Sequence, residues 1–236
     1  MRSVSETRDH DDAISALVED GEVHLQTADY AGARRIFEEA VAQCELTHGP
    51  HARELIVPLM VLARAAGENH ASACDPMDRE LAVQERALAI AEAALAADDP
   101  LLAEVLHAHG VSVWASGHPT RAVDLLVRAL GVVRRAGGDA HGYLGPLVGA
   151  LLDAQRSTDA LPHARELLRL EETSSPADLT TLFVVGQCFR DAGATEEARV
   201  VLERFLAAPG ADGDATIRND VQTWLSTLHP AESREV

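Results

Sequence analysis

Histidine and cysteine are the side chains in this sequence best suited to metal binding. The chain has 11 His and 3 Cys, and the densest group is Cys44, His48 and His51, followed by His70 and Cys74. A predicted helix connects His51 to His70, so a rise of ~1.5 Å per residue would place them about 28 Å apart. One site using all these ligands is therefore excluded. A smaller site around Cys44, His48 and His51 is an alternative, but we predict no metal site and no cofactor.

A carboxylate and an imidazole form the best candidate for acid–base chemistry. Glu104 and His107 are three residues apart and share one face of a predicted helix, which could raise the pKa of the imidazole and support proton transfer. An ordinary surface ion pair is the simpler interpretation. His109 points about 200° away from His107 on the same helix. The sequence contains no GxxxxGK[ST], GxGxxG, GxSxG or HExxH pattern, so we predict no catalytic residue and no enzyme.

The composition limits both the fold class and the kinds of partner. Hydrophobic residues make up 47% and aromatic residues 3% of the chain, and a core built from Ala, Leu and Val favours helices. The formal charge is -18, from 38 acidic and 20 basic residues, and every basic residue is Arg. Such a surface argues against direct nucleic-acid binding. The lack of paired CxxC cysteines fits a reducing cytoplasm, and the absence of an apolar run of about 18 residues argues against membrane insertion.

Three segments repeat the same spacing of small and large residues. Residues 14–45 carry Leu17, Gly21, Ala33, Phe37 and Ala40. The same offsets return in residues 103–134 and again from residue 179, at Leu106, Gly110, Ala122, Leu126 and Ala129, and at Leu182, Gly186, Ala198, Leu202 and Phe205. This pattern resembles the tetratricopeptide repeat. The links 48–51 and 98–100 resemble those of the longer, kinesin-light-chain-like type, and the Ala-rich, Lys-free composition indicates a bacterial source.

The resemblance implies a complete organisation for the chain. Two further units match less closely, because Val148 replaces a small residue, Gln155 replaces a common turn glycine and Glu80 stands where alanine is expected. We expect an all-α, right-handed superhelical α-solenoid of about five helical hairpins plus a capping helix. The predicted segments are a flexible tail at 1–11, a repeat array at 12–210 (approximately 14–47, 51–99, 100–138, 141–174 and 177–210), a capping helix at 215–229 and a tail at 230–236.

In the family that the repeat resembles, the first helices of successive hairpins line a concave groove. Carried over position by position, this implies a lining made by Val18, Glu19, Glu22, Leu25, Val57, Met60, Val61, Arg64, Glu104, His107, Val111, Trp114, Leu152, Asp153, Phe183, Gln187 and Arg190. The set is mostly apolar and lacks the Lys and Asn of a carboxylate clamp, so it suits a partner helix or extended peptide. Trp114 is the predicted hot spot, with packing at the hairpin end as the alternative.

These observations favour a protein-interaction module or scaffold over an enzyme. The partner is another protein or peptide, and the acidic surface suits a basic or amphipathic one. One alternative is a regulator that senses a peptide or metabolite, although the residues ahead of the first hairpin are too few for the DNA-binding domain that such sensors usually carry. Another is an enzyme or biosynthetic accessory protein built on this scaffold, with Glu104 and His107 as its candidates.

Overall fold

The fold is known from a computed structural model that describes residues 4–67, 76–171, 178–210 and 215–228, with only the backbone described at 4–7 and 76–78. Within these ranges every regular element is helical, which confirms the all-α prediction. The described residues form eleven α-helices, and a 3-10 turn, Arg53–Leu55, precedes the third of them. The helices are α1 (Val4–Gln26), α2 (Tyr30–His48), α3 (Ile56–Gly67), α4 (Pro76–Ala94), α5 (Pro100–Ala115), α6 (Pro119–Arg135), α7 (His141–Asp153), α8 (Ser157–Glu171), α9 (Leu179–Asp191), α10 (Thr195–Ala207) and α11 (Ala215–Thr227).

Local sequence signals explain where several helices begin and end. The carboxylates of Asp29, Asp99 and Asp178 accept hydrogen bonds from the first free backbone N–H groups of α2, α5 and α9, as N-cap residues do. The turns between α5 and α6 and between α9 and α10 contain Gly117 at φ +81° and Gly193 at φ +75°. Glycine adopts this left-handed conformation without steric cost, so these turns can be short.

The chain forms two compact units, residues Met1–Gly138 with α1–α6 and residues Asp139–Val236 with α7–α11. In the first unit α1 packs on α2, α3 on α4 and α5 on α6, and contacts between α2 and α3 and between α4 and α5 stack the hairpins. In the second unit α7 packs on α8 and α9 on α10, while α8 contacts α9 and α11 contacts α10. Each unit is thus a stack of helical hairpins.

Small residues allow the two helices of a hairpin to approach closely. A Cβ atom at Gly21 would lie 2.2 Å from Cε1 of Phe37, and one at Gly186 would lie 2.4 Å from Cδ2 of Leu202. Phe37 and Leu202 are both fully buried. The glycine at this repeat position is therefore the socket for the large side chain of the second helix, which is the packing that the sequence pattern predicts.

Paired charges join the second helices of the first unit on their exposed side. The pairs recur seven residues apart along each helix and are Glu38–Arg79, Glu45–Arg86, Glu85–Arg121 and Glu92–Arg128. Each exposed pair contributes only about 0–1 kcal/mol. Their regular spacing matters more for register, because shifting α4 along α2 would break two pairs together.

The start of the first helix differs from our expectation. We predicted a flexible tail at 1–11, whereas α1 begins at Val4. Oδ1 of Asp11 lies 2.6 Å from Nε2 of His48, and Ile14 is buried, so contacts with α2 begin at the end of this polar segment. The repeat pattern starts at residue 14 and carries no information about it. Residues 230–236 lie outside the described residues, and no described helix is long and apolar enough to cross a bilayer.

Candidate functional site

A cleft in the first unit lies between α3 and α5, with α4 at its base. It encloses a cavity of about 660 Å³. The first helices α1, α3 and α5 also contact one another in sequence along the unit, as expected for a groove built from first helices. Seven residues from the predicted lining surround this cavity, namely Val57, Met60, Val61, Arg64, Glu104, His107 and Val111. These seven residues therefore share one cleft, and their role in binding a partner stays a prediction.

The base of the cleft was not predicted. It is formed by three polar side chains, Glu80, Gln84 and Ser112, which we call the polar floor. Glu80 and Gln84 are only 7% and 6% exposed. Nε2 of Gln84 donates to Oε1 of Glu80 at 3.1 Å and to Oγ of Ser112 at 2.9 Å, and the Ser112 hydroxyl also donates to Oε1 of Glu80. The carboxylate is thus held by two neutral donors.

His109 extends this network behind the cleft. It is 1% exposed, and burial, with a smaller contribution from the charge of Arg121, lowers its pKa. Its Nδ1 lies 3.1 Å from Oε1 of Gln84. Because the amide nitrogen of Gln84 is committed to Glu80 and Ser112, its oxygen must accept, so the neutral imidazole carries its proton on Nδ1. His109 therefore donates to Gln84, and Gln84 and Ser112 in turn donate to the carboxylate of Glu80.

A glycine leaves room beside that carboxylate. A Cβ atom at Gly67, the last residue of α3, would lie 2.5 Å from Oε2 of Glu80. Any larger side chain would push the carboxylate out of its position. The polar floor consequently depends on Gly67 as well as on its hydrogen bonds.

The rim of the cleft carries charged side chains. Arg64 and Glu22 form an ion pair between α3 and α1. The same two residues, together with Leu25, Gln26 and Tyr30, line a smaller neighbouring pocket of about 230 Å³. Glu104 is an exposed wall residue of the main cavity. Glu22 and Leu25 therefore lie where the groove continues towards α1, while Val18 is half-buried and Glu19 is exposed outside both pockets.

Trp114, the predicted hot spot, lies beside the cavity rather than among its lining residues. It is half-buried and is not among the residues that surround the cavity. An α-helix turns about 100° per residue, so the cavity-facing series that includes Val111, Ser112 and Ala115 leaves Trp114 on the adjoining face. The role of Trp114 as a hot spot, or as packing at the hairpin end, stays a prediction.

In the second unit, two predicted groove residues pack against the last helix. The ring of Trp224 on α11 lies 5.3 Å from that of Phe183, centroid to centroid, and the guanidinium carbon of Arg190 lies 3.8 Å above the Trp224 ring. This corrects the expectation that Phe183 and Arg190 line an open groove. The capping helix covers them. Leu152 and Gln187 are half-buried, and Asp153 is exposed.

The residues considered for metal binding or catalysis have ordinary structural surroundings. Cys44 is fully buried, and burial raises the pKa of its thiol to about 11, while His48 pairs with Asp11. In the part of the chain that the structure describes, no group of three His, Cys, Asp or Glu side chains could hold a metal ion. His70 and Cys74 lie outside it. Glu104 and His107 both reach the cavity, where the polar lining residues Glu80, Gln84 and Ser112 are hydrogen-bonded to one another.

Comparisons with known proteins show which solved structures share the fold of this chain. No family model matches the sequence, and a search of curated proteins finds no match. A Podosopora anserina protein described as a kinesin light chain with TPR-like repeats is 17% identical, with a TM-score of 0.72 over 86% of this chain and 98% of that one. BtubC (BKLC) from P. vanneervenii is 18% identical, with a TM-score of 0.69 over 100% of this chain and 92% of that one.

A third structure adds a description of a binding site. YrrB, a TPR protein described as having an unusual peptide-binding site, is 17% identical, with a TM-score of 0.54 over 83% of this chain and 93% of that one. At these identities the likeness concerns the fold. The stacked hairpins, their glycine sockets and these neighbours together confirm the predicted resemblance: the chain has the α-solenoid fold of tetratricopeptide-repeat proteins.

Proposed function

We propose that this chain is a protein-interaction module whose first unit binds a segment of a partner protein in the cleft between α3 and α5. The observation that carries the proposal is the cavity of about 660 Å³ on the first helices of stacked hairpins. Its walls include Val57, which is 45% exposed, and the half-buried Met60 and Val111. Apolar side chains on a concave helical surface suit the anchor residues of a partner helix or extended peptide. The peptide-binding site named for YrrB supports the same use of the fold.

The charges around the cleft favour a basic or amphipathic partner. Glu104 and Glu80 line the cavity together with Arg64, and Arg64 is already paired with Glu22. The whole chain carries a formal charge of -18, which would also accelerate the approach of a cationic partner. Binding should therefore weaken as salt concentration rises.

A direct test uses random peptides displayed on phage and selected on the immobilised chain. Affinities of the selected peptides are then measured for wild type, for the double variant Met60→Ala/Val111→Ala and for the control Val127→Ala. Val127 is 48% exposed on α6, away from the cavity. We expect the double variant to bind at least about tenfold more weakly, because it removes two apolar anchor contacts, and the control to match wild type. Equal affinity for all three would show that the cleft is not the binding site.

Sensing of a small molecule is the second candidate. Its support is the volume of the cavity, which lies within the range of about 300–1,000 Å³ typical of small-molecule sites, together with polar groups at its base. A selection that yields no peptide, combined with a metabolite that raises the Tm of the chain but not that of Glu80→Gln, would favour this candidate over the interaction module. We propose no catalytic role for Glu104 or His107.

A further inference from the structure

The carboxylate of Glu80 is an unusual group to find inside a helical hairpin. It is 7% exposed and stands at a repeat position where alanine is expected. Its hydrogen-bond donors, Gln84 and Ser112, are both neutral. Among the described residues no arginine or histidine forms an ion pair with it. A buried carboxylate that lacks a counter-charge is costly for the fold, so its presence calls for an explanation other than stability.

The surroundings of Glu80 are arranged for a further hydrogen-bond donor. Both neutral donors bind Oε1, while Oε2 is the oxygen nearer to Gly67, and among the described residues no hydrogen bond occupies it. The proton arrangement deduced for His109 and Gln84 makes the carboxylate the final acceptor of the network. A cation entering the cavity would therefore meet an oriented carboxylate at its base, in an environment where charge-assisted hydrogen bonds are strong.

The walls above the polar floor suit the remainder of a long basic side chain. Met60, Leu101 and Val111 present apolar surface to the cavity. Arginine and lysine combine an apolar stem with a charged end, and they bury the stem where the charged end can be satisfied. Arg64, the arginine that lines the cavity, does not take this role, because it is half exposed and paired with Glu22.

We propose that the polar floor is a specificity pocket for one basic side chain, arginine or lysine, of a partner peptide. The charged end of that side chain would donate to Glu80, and its stem would lie against the apolar walls. This inference rests on the proposed function and adds the chemistry by which the cleft recognises its partner. It also explains why Glu80, Gln84 and Ser112 replace the apolar contacts usual inside a hairpin.

The test is a parallel selection of phage-displayed random peptides on wild type, on Glu80→Gln and on Asp124→Asn. Asp124 is exposed on α6 outside the cavity, so its variant loses the same unit of charge without touching the polar floor. We expect wild type and Asp124→Asn to select peptides with arginine or lysine at one fixed position between apolar residues. We expect Glu80→Gln to lose that preference.

Affinities then separate a specific contact from general attraction between charges. The best peptide and a copy in which citrulline or norleucine replaces the basic residue are titrated against each variant. Loss of the charge should weaken binding to wild type about tenfold or more, but should change binding to Glu80→Gln little, since the two changes remove one contact. Ser112→Ala, which keeps the carboxylate, should retain the preference for a basic residue with lower affinity.

The same variants show whether Glu80 serves the fold instead. Because glutamine removes a buried charge while keeping the shape of the side chain, Glu80→Gln should have a Tm equal to or above that of wild type. A lower Tm, with peptide preference unchanged, would overturn the inference and make Glu80 a structural residue. Selection of peptides without basic residues would overturn it while leaving the interaction module intact.

Two further outcomes separate this inference from the proposed function. If wild type enriches no peptide at all, the proposed function fails, and this inference fails with it. Calorimetric titration of agmatine and putrescine provides the last comparison. Agmatine carries the guanidinium of arginine, and putrescine carries the ammonium group of lysine, in each case without a peptide. Affinity as tight as that of the best peptide would show that a free cation is the ligand, which would overturn the commitment to a peptide.

Discussion

Replacing Gly21 with alanine should destabilise the chain, although alanine is the better helix former. Gly21 lies inside α1, and an added Cβ would be 2.2, 2.6 and 2.7 Å from three carbons of the Phe37 ring. Phe37 is 0% exposed, so its ring cannot move aside into solvent, and neighbouring core side chains would have to shift with it. Overpacking of a closed core typically costs about 1–3 kcal/mol. Against this stands a gain of roughly 0.5–1 kcal/mol from helix propensity.

Gly131 supplies the matched control for this prediction. It lies inside α6 in the same unit, and an added Cβ would meet only Nη1 of Arg135, at 3.5 Å. Gly131→Ala should therefore stabilise the chain by about 0.5–1 kcal/mol, which is the propensity gain alone. Because both variants share that gain, the difference between them, about 1–3 kcal/mol, isolates the cost of filling the socket at Gly21.

Urea unfolding followed by circular dichroism measures both free energies. The midpoints should shift in opposite directions while the slope of the free energy with urea stays constant. Stacked repeats can unfold in stages, which is why both substitutions lie in one unit. A Gly21→Ala variant as stable as wild type, or more stable, would refute the socket packing of the first hairpin and with it the physical basis of the repeat pattern.

Two further changes test the last helix and the buried histidine. Trp224→Ala should lower the free energy of unfolding by about 1–2 kcal/mol, since it removes the ring contact with Phe183 and the cation–π contact with Arg190. Trp224→Phe should lower that free energy by less. Equal urea midpoints for wild type and Trp224→Ala would contradict the packing of α11. Burial lowers the pKa of His109 from 6.5, so the unfolded chain takes up a proton first and this group reduces stability as pH falls below about 6.5. Thermal unfolding of His109→Gln between about pH 5 and 7.5 should depend less on pH than that of wild type, whereas the exposed control His51→Gln should follow wild type.

The hairpin architecture could be predicted because its determinants are local and repeated. Gly21, Gly110 and Gly186 occur at the same offset from a large residue in the following helix, and the structure shows each close to its partner side chain. The resemblance to the tetratricopeptide repeat implied a groove position for Val57, Met60 and Val111, and all three line the cavity. A repeated spacing therefore carries information about both the core of a hairpin and the face that its first helix presents.

The polar floor could not be predicted in the same way. The sequence shows Glu80 only as a departure from the repeat, and nothing near residue 80 indicates that Ser112 lies beside Glu80 or that His109 lies beside Gln84. These contacts join α4 to α5, from different hairpins, and depend on how closely α3 approaches at Gly67. The coverage of Phe183 and Arg190 was missed for a similar reason, because the helical stripe of α11 does not specify which residues Trp224 reaches.

The departures from the repeat, rather than its matches, distinguish this chain from other stacks of hairpins. Residues that match the repeat maintain the packing that solenoids of this kind share, so they say little about what a particular cleft binds. Glu80 does not maintain this shared packing. It stands where a small packing residue is expected, buries a carboxylate there, and needs Gly67, Gln84 and Ser112 around it. A stack of hairpins would fold without that arrangement. Its cost to the fold is the reason to seek the function of this chain at Glu80.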